Sequence, residues 1–420
     1  MNKHVGTLLD LQGPEIRIYM PMDSIKIAVG ELVTLGESVF TDKTKKGFSC
    51  SHPDLFEFLK VGQHLLADDG AFIFTVKILK PEIILECRRA GVLKNRKSLR
   101  IPGANFPFPV LVDRDFEGLK MAQRAEIDFI ALSYARTAED VEVTRREMKK
   151  YQVVARIISK IEAKSAIENL DEIIEVSDGI MVARGDLGIE LPLEEVPYWQ
   201  KVMIGKCMEK GIPVITATQM LQTMIENPFP TRAEVSDVAN ATFDLTDAVM
   251  LSGESASGKY PLETVTMMRN IIESNERRFI KDTRKLYNFK GGDSERMLCE
   301  AAYNMYKNFE SNEQSFAGFI VFTETGRTAQ MLARYRPNVP IYALVSSNKV
   351  GDMLTLDYGV HPLSHFTPYT KDLVTVKGLK SIVTHLKDLK RIKKGQSMIA
   401  IYGDEWMEKG KTSTLKLVQV

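Results

Sequence analysis

The amino-acid sequence predicts an α/β protein built from parallel βα units, of the (β/α)8 barrel type. Two observations carry this expectation. Four short apolar runs, at residues 157–161, 179–183, 213–217 and 248–251, are separated by longer segments with helical spacing. Each run ends in a polar cluster: Lys160 and Glu162, then Arg184 and Asp186, then Thr218 and Gln219, then Ser252 and Glu254. The C-terminal ends of the strands are where such a barrel builds its active site.

Composition narrows the class. A chain of 420 residues suggests two or three domains with ample apolar content for real cores. A net charge of +1 argues for neither a nucleic-acid nor a membrane partner. Cys50, Cys87, Cys207 and Cys299 are scattered without zinc or disulfide spacing, and the six histidines show no metal-ligand spacing. The start of the chain lacks a signal-peptide pattern, and no run of about 18 apolar residues marks a membrane span, so a cytoplasmic location is expected.

The elements follow in order. Residues 5–11 form an apolar run interrupted by Asp10, read as a barrel strand followed by the Gly13-Pro14 turn. From residue 18 to 99 the pattern changes to short runs at 25–28, 32–35, 64–66, 72–77 and 82–87, separated by Gly, Pro and Asp turns. That predicts a small all-β insert. Residues 113–124 read as a helix leading into a buried strand at 127–133. Residues 137–150 are amphipathic, with acids early and bases late, as the helix dipole favours. A strand at 156–162 and a helix at 163–176 follow, then the strand 179–183 and a long helix at 192–210 closed by Gly211. The strand 213–218 precedes helical segments at 220–225 and 231–243, broken by Pro228 and Pro230. The strand 248–251 precedes a helix at 261–278. Composition shifts near 285–292. Beyond it come a helix at 294–307, a strand at 316–323, a polar Gly turn into a helix at 329–335, and strands at 396–402 and 414–420 with Trp406 between them. The expected division is a barrel from 1–17 and 100–285, a β-rich domain from 18–99 and a C-terminal α/β domain from 286–420.

Five segments carry a resemblance. Lys160-Ile161-Glu162, Ala183-Arg184-Gly185-Asp186-Leu187-Gly188, Ala217-Thr218-Gln219-Met220, the run from Pro230 to Asn240 and Leu251-Ser252-Gly253-Glu254 resemble pyruvate kinase in order and spacing. The resemblance runs from about Leu9 to the C-terminus. It implies phosphoryl transfer from phosphoenolpyruvate to ADP, giving pyruvate and ATP, with Mg²⁺ (or Mn²⁺) and K⁺, in a homotetramer. It also identifies the all-β insert with the family's lid domain.

Glu162 and Asp186, at the ends of consecutive strands, are hard oxygen donors suited to Mg²⁺; the competing reading is a pair of structural ion-pair acids. Strand alternation puts Lys160 and Glu162 on one face. Lys160 then fits the positive charge that a moving phosphoryl group and a developing enolate need. The resemblance implies that the turn at Ala183, Arg184, Gly185 and Asp186 holds the substrate carboxylate with Thr218. It also implies that Thr218 and Ser252 relay a proton to the enol carbon. Arg232, Glu234 and Asp237 read as ion pairs bracing a barrel helix.

The segment from Asp10 to Arg17 resembles the family's third barrel strand, where Asp10 and the carbonyl of Leu11 would help hold potassium. Leu11 and Gln12 replace the usual threonine and lysine; Glu15 matches the potassium-dependent type. Ser133 lies near that cation in the family, or simply bonds to backbone as a strand-end serine. Arg17 is a candidate phosphate contact or a solvated loop arginine. Lys97 resembles a nucleotide-contacting lysine in a KGVNLPG-like segment, from which Ser98 and Arg100 depart. The first aspartate of Asp68-Asp69-Gly70 lies near the nucleotide in the family. The turn at Thr323, Thr325, Gly326, Arg327 and Thr328 resembles an effector-phosphate loop, or is an ordinary helix cap.

The family carries two further βα units before the Asp10 strand, the second supplying an arginine, an asparagine and a serine to the site. The sequence lacks them, so the barrel is expected to be N-terminally incomplete. The readings that follow are a truncated pyruvate kinase, a site completed by a second chain, or a non-catalytic homologue acting as a binding protein. A metal-dependent aldolase is disfavoured by the register of the motifs and by the lid insert.

Overall fold

The computed structural model describes residues 3–102, 108–276, 289, 292–403 and 412–420. Trp406 and most of the 285–292 composition shift lie outside the described residues.

Six strands, Leu8–Asp10, Phe129–Leu132, Arg156–Ile161, Gly179–Ala183, Val214–Ala217 and Ala248–Val249, form one sheet in chain order. Every neighbouring pair is parallel, with Leu9 opposite Ile130, Ile130 opposite Ile157 and Ile180 opposite Val214. Alternation along the strands sorts the side chains into two layers. Ile157, Ile161, Ile180, Val182 and Val214 pack outward against helix residues such as Met203, Ile204 and Cys207. Phe129, Ala131, Ile158, Met181, Ile215 and Ala217 line the inner face, where Met353 of the C-terminal region packs against them.

Two barrel helices start at side-chain caps. Thr137 accepts from the Asp140 N–H at 3.3 Å, and Thr231 from the Glu234 N–H at 3.3 Å. Both are reciprocal capping boxes. Two expected helices are divided. Residues 163–176 form Lys164–Glu168 and Leu170–Val176, because Asn169 turns its amide back to the carbonyls of Ser165 and Arg136. Residues 192–210 form a 3-10 turn at Leu193–Glu195 and the helix Val196–Lys210, which closes on Gly211 at φ +84°. The last barrel strand keeps only Ala248–Val249 of its expected run.

The insert after the first strand is mostly β, and departs from the all-β expectation by a short helix at Ser38–Thr41 and a 3-10 helix at Pro53–Phe58. Leu99–Arg100, His64–Ala67, Phe72–Ile78, Ile83–Cys87, Leu32–Leu35, Gly47–Cys50 and Ile18–Tyr19 form a seven-stranded sheet in that spatial order. Ser24–Ile27 and Gly91–Lys94 make a separate ribbon. Phe48, Leu65, Phe74, Leu85 and Leu93 are its buried centre. The C-terminal sheet runs Val360–Pro362, Ile341–Val345, Phe316–Thr323, Ser397–Gly403, Thr412–Gln419, parallel except at the last edge. Apolar clusters cover both of its faces.

Buried charges fasten the C-terminal region to the N-terminal ends of the barrel strands. Asp247 accepts from Arg336 Nη2 at 2.6 Å and from the N–H groups of Val214 and Tyr358, each at 3.0 Å. Asp357 accepts from Gln330 Nε2 at 3.0 Å and lies 3.7 Å from Arg156.

Burial pushes the Asp357 carboxyl up to about 7, against the pull of Arg156 and with Asp247 adding to the rise. The sign follows. Below the unfolded value of 3.8 both states are protonated. Between there and about 7 the unfolded chain releases the proton while the folded chain keeps it. Stability therefore falls as pH rises through that window, by up to about 1.4 kcal/mol per unit, and is level above it. Asp357→Asn is expected to remove this slope. Urea midpoints of the two chains should coincide near pH 4 and separate in the variant's favour by pH 7.5; parallel profiles would contradict the assignment.

Candidate active site

The expected site residues meet at the C-terminal ends of the parallel strands. Lys160 leaves the Arg156–Ile161 strand toward the inner face. Its Nζ lies 2.9 Å from Glu162 Oε1 and 3.1 Å and 3.2 Å from the two oxygens of Asp10. It donates to Ser133 Oγ at 2.8 Å. Burial opposes the charge, but Glu162 and Asp10 outweigh it and hold the Lys160 pKa above the ordinary lysine value. Glu162 is 2 % exposed, and its second oxygen accepts the Tyr134 N–H at 3.0 Å. Its burial raises its pKa, Lys160 pulls it down, and nearby Asp186 raises it again. The Asp186 charge disfavours that of Glu162, an effect that a divalent cation would relieve.

Asp186 lies on a short helix, Arg184–Glu190, where a turn was expected. Its carboxylate is held by Arg100 Nη2. The Gly185 N–H donates to Thr218 Oγ1 at 2.8 Å. Thr218 sits at φ +67° and Gln219 at φ +55°. A β-branched residue in the left-handed region is a strained placement of the kind that clusters at functional sites. The Arg184 side chain is engaged elsewhere, which keeps the expectation for this turn on its backbone N–H groups. Its guanidinium donates to Asp237 at 2.7 Å and to the carbonyls of Ala217 and Thr218 at 3.2 Å and 2.7 Å. It braces the end of the Val214–Ala217 strand.

Asp237 therefore braces, as expected. Glu234 braces by hydrogen bonds rather than by the expected ion pair: its carboxylate caps Thr231 and takes the N–H and hydroxyl of Thr223. The Ser252 N–H donates to Glu254 Oε2 at 2.8 Å, and Glu254 also takes the Leu221 N–H. No hydrogen bond joins the Ser252 hydroxyl to Lys160, Glu162 or Thr218.

The expected potassium ligands are engaged. Asp10 holds the Lys160 ammonium, and the Leu11 carbonyl accepts from Ser133 Oγ at 2.7 Å. Arg17 bonds to Glu15 at 2.6 Å and to the Arg96 carbonyl at 3.1 Å. Both Arg17 and Asp10 line a cavity of about 850 Å³. Lys97 pairs with Asp68 at 2.7 Å, which joins the two residues expected near a nucleotide.

The loop at 323–328 is turned inward. Thr323 Oγ1 accepts the Gly326 N–H at 3.0 Å, and Thr328 Oγ1 donates to Glu295 at 2.5 Å; both threonines are buried. Arg327 is held by Glu295 at 2.8 Å and Asp293 at 2.9 Å, and the Thr325 carbonyl accepts from Arg156 at 3.1 Å. The helix Arg327–Ala333 that follows begins after Gly326, at φ +90°, with no side-chain cap.

Sequence reasoning missed two residues of the site. Tyr134, at φ +56°, places its N–H on Glu162 and its ring 4.9 Å from the Arg100 guanidinium carbon. Arg100 reaches Asp186 from the last strand of the lid sheet. Its departure from the expected segment was the signal. Among the described residues no group of three or more His, Cys, Asp or Glu is placed to hold a metal ion. No helix among the described residues is long and apolar enough to cross a membrane.

Comparison with known proteins agrees with this arrangement. The family model "Pyruvate kinase, barrel domain" matches residues 1–265, and "Pyruvate kinase, alpha/beta domain" matches residues 301–418. The chain is 37% identical to a pyruvate kinase of Staphylococcus epidermidis over 423 residues, covering 99% of this chain and 71% of that protein. It is 37% identical to one of Clostridium acetobutylicum over 431 residues, covering 99% and 87%. A solved pyruvate kinase from Cryptosporidium parvum superposes with a TM-score of 0.87 at 31% identity, covering 99% of this chain and 84% of that one.

Proposed function

The chain belongs to the pyruvate kinase family, and we propose that its barrel mouth transfers a phosphoryl group from phosphoenolpyruvate to ADP, giving pyruvate and ATP. One observation carries the reading. Lys160 with Glu162, Asp186 and Thr218 stand at the C-terminal ends of three consecutive strands, with Lys160 and Glu162 2.9 Å apart.

In the reaction the bond from the bridging oxygen of phosphoenolpyruvate to phosphorus breaks, and a β-phosphate oxygen of ADP bonds to that phosphorus. The enolate left behind takes a proton at carbon to become pyruvate. Glu162 and Asp186 would hold Mg²⁺ or Mn²⁺, which when bound supplies Lewis-acid charge to the phosphate oxygens. Lys160 stays protonated beside two carboxylates and sets its ammonium toward the moving phosphoryl group and the enolate oxygen. Thr218, at the mouth beside Gly185, orients the substrate carboxylate and, through water, passes a proton to the enol carbon. Ser252 stands one strand away as the second hydroxyl of that relay. For potassium, Asp10 and the Leu11 carbonyl are two oxygens already engaged, so the cage is only partly built among the described residues. Arg17 and Lys97, with Asp68, are the proposed nucleotide contacts.

The division into 1–17 with 100–285, 18–99 and 286–420 is our proposal for the domains, supported by the separate hydrogen-bonded sheets. A homotetramer is the proposed assembly, to be tested by light scattering of the full chain. The functional test is turnover. With Mg²⁺ and K⁺, phosphoenolpyruvate and ADP, the chain is expected to form pyruvate and ATP in equal amounts. Chelating the divalent cation should stop it. Folded chain that forms neither product would overturn the reading in favour of a non-catalytic relative.

A further inference from the structure

We propose that Arg100 and the divalent cation compete for Asp186, so that loading the metal requires the Arg100 guanidinium to leave. This rests on the reading that Glu162 and Asp186 hold the metal, and it adds a residue of this chain that the reading does not include.

The geometry points to a displaceable contact. Arg100 ends the short strand Leu99–Arg100, which pairs with His64–Ala67 of the lid sheet. From there it crosses to the barrel and donates Nη2 to Asp186 Oδ1. Its guanidinium carbon lies 4.9 Å from the centre of the Tyr134 ring, an arrangement that favours a planar cation. The pair is mostly buried, with 12 % of the Arg100 side chain and 30 % of Asp186 exposed. Yet the contact is incomplete: Arg100 Nε is buried and has no hydrogen-bond partner. A structural pair in such a place ordinarily satisfies the whole guanidinium fork.

Charge leads to the same conclusion. Asp10, Glu162 and Asp186 face the cations Lys160 and Arg100. Lys160 is shared between Asp10 and Glu162, so Arg100 is the cation bonded to Asp186. A divalent ion bound by this carboxylate at about 2.1 Å puts two positive charges beside a guanidinium held at hydrogen-bond distance from the same group. The two cannot share Oδ1, the oxygen that Arg100 holds. The Arg100 guanidinium therefore stands where the metal's charge would stand, and it keeps a buried carboxylate compensated without it.

The test is Mn²⁺ binding to the full chain, followed by titration calorimetry and by the spin-resonance signal of the free ion, without substrate. Arg100→Gln is expected to bind Mn²⁺ about 10-fold tighter, the scale of one charge-assisted hydrogen bond. Arg100→Lys, which keeps the charge but loses the planar fork, should tighten it about threefold. A tightening is what a merely structural role does not produce, since loss of a scaffold contact loosens a site. Should Arg100→Gln fail to fold, Arg100→Lys decides alone. Affinity unchanged or weakened in the folded variants overturns the competition. Asp186→Asn separates the two ideas. If it weakens Mn²⁺ binding while the Arg100 variants do not tighten it, the metal reading stands and the competition falls. If it leaves Mn²⁺ binding unchanged, both fall.

Discussion

Replacing Lys160 with methionine is expected to lower kcat by about 10²–10³-fold, with a much smaller change in the KM for phosphoenolpyruvate. Methionine keeps the length and most of the volume of the lysine stem but removes the charge. In the wild-type chain that charge sits 2.9 Å from Glu162 and about as close to Asp10. It is therefore already in place before the phosphoryl group moves, and no reorganisation is needed when negative charge develops on the enolate oxygen. The variant has a second signature. Glu162 is buried, and Asp186 already pushes its carboxyl up; without Lys160 nothing of equal strength pulls it down. Glu162 should then hold its proton to higher pH, and divalent-cation affinity should weaken at neutral pH and recover as pH rises. Steady-state kinetics and Mn²⁺ titrations across pH check both parts. A variant within about threefold of wild-type kcat would remove Lys160 from the chemistry.

Arg336→Met is expected to destabilise the chain by about 3–5 kcal/mol, the range for breaking a buried ion pair from one side. Arg336 and Asp247 side chains are 3 % and 2 % exposed and 2.6 Å apart. The guanidinium also donates to the carbonyls of Leu245 at 2.9 Å and Ala333 at 3.0 Å, and its carbon lies 5.1 Å from the Tyr358 ring centre. Burial pushes the Asp247 carboxyl up while Arg336 draws it down. Losing the arginine leaves a buried acid without its counter-charge and removes a bond from the Leu245 carbonyl. Adding Asp247→Asn to the variant should restore part of the loss, because the amide needs no counter-charge. Denaturant midpoints of the four chains form the cycle. A loss below about 1 kcal/mol would mean that the barrel and the C-terminal region do not depend on this pair.

Much of this architecture was legible in the sequence because it is local. The helix Asp113–Arg124 and the strands Gly179–Ala183 and Phe316–Thr323 keep the bounds that periodicity predicts. The capping residues Thr137 and Thr231 mark their helices by side-chain chemistry within four residues. The strands Ile341–Val345 and Val360–Pro362 and the helix Val376–Asp388 were not foreseen. The first strand is a five-residue run buried throughout, and periodicity alone cannot tell such a run from a helix segment.

The site divides in the same way. That Lys160 and Glu162 share a face follows from strand alternation alone. That Arg184 turns to Asp237, 53 residues on, or Lys160 to Asp10, 150 residues back, is set by tertiary placement. Arg100 was visible only as a departure from a familiar segment; its partner Asp186, 86 residues away, gives the departure a role.

The most direct measurement of the central claim is phosphorus NMR of phosphoenolpyruvate and ADP with the full chain, Mg²⁺ and K⁺. Wild type and Lys160→Met would be compared at equal concentrations of folded protein. The account predicts that the phosphoenolpyruvate resonance falls as the γ-phosphate of ATP rises in the wild-type sample, while the variant stays near its starting spectrum over the same period. No ATP from folded wild-type chain, or equal rates in the two samples, would contradict it.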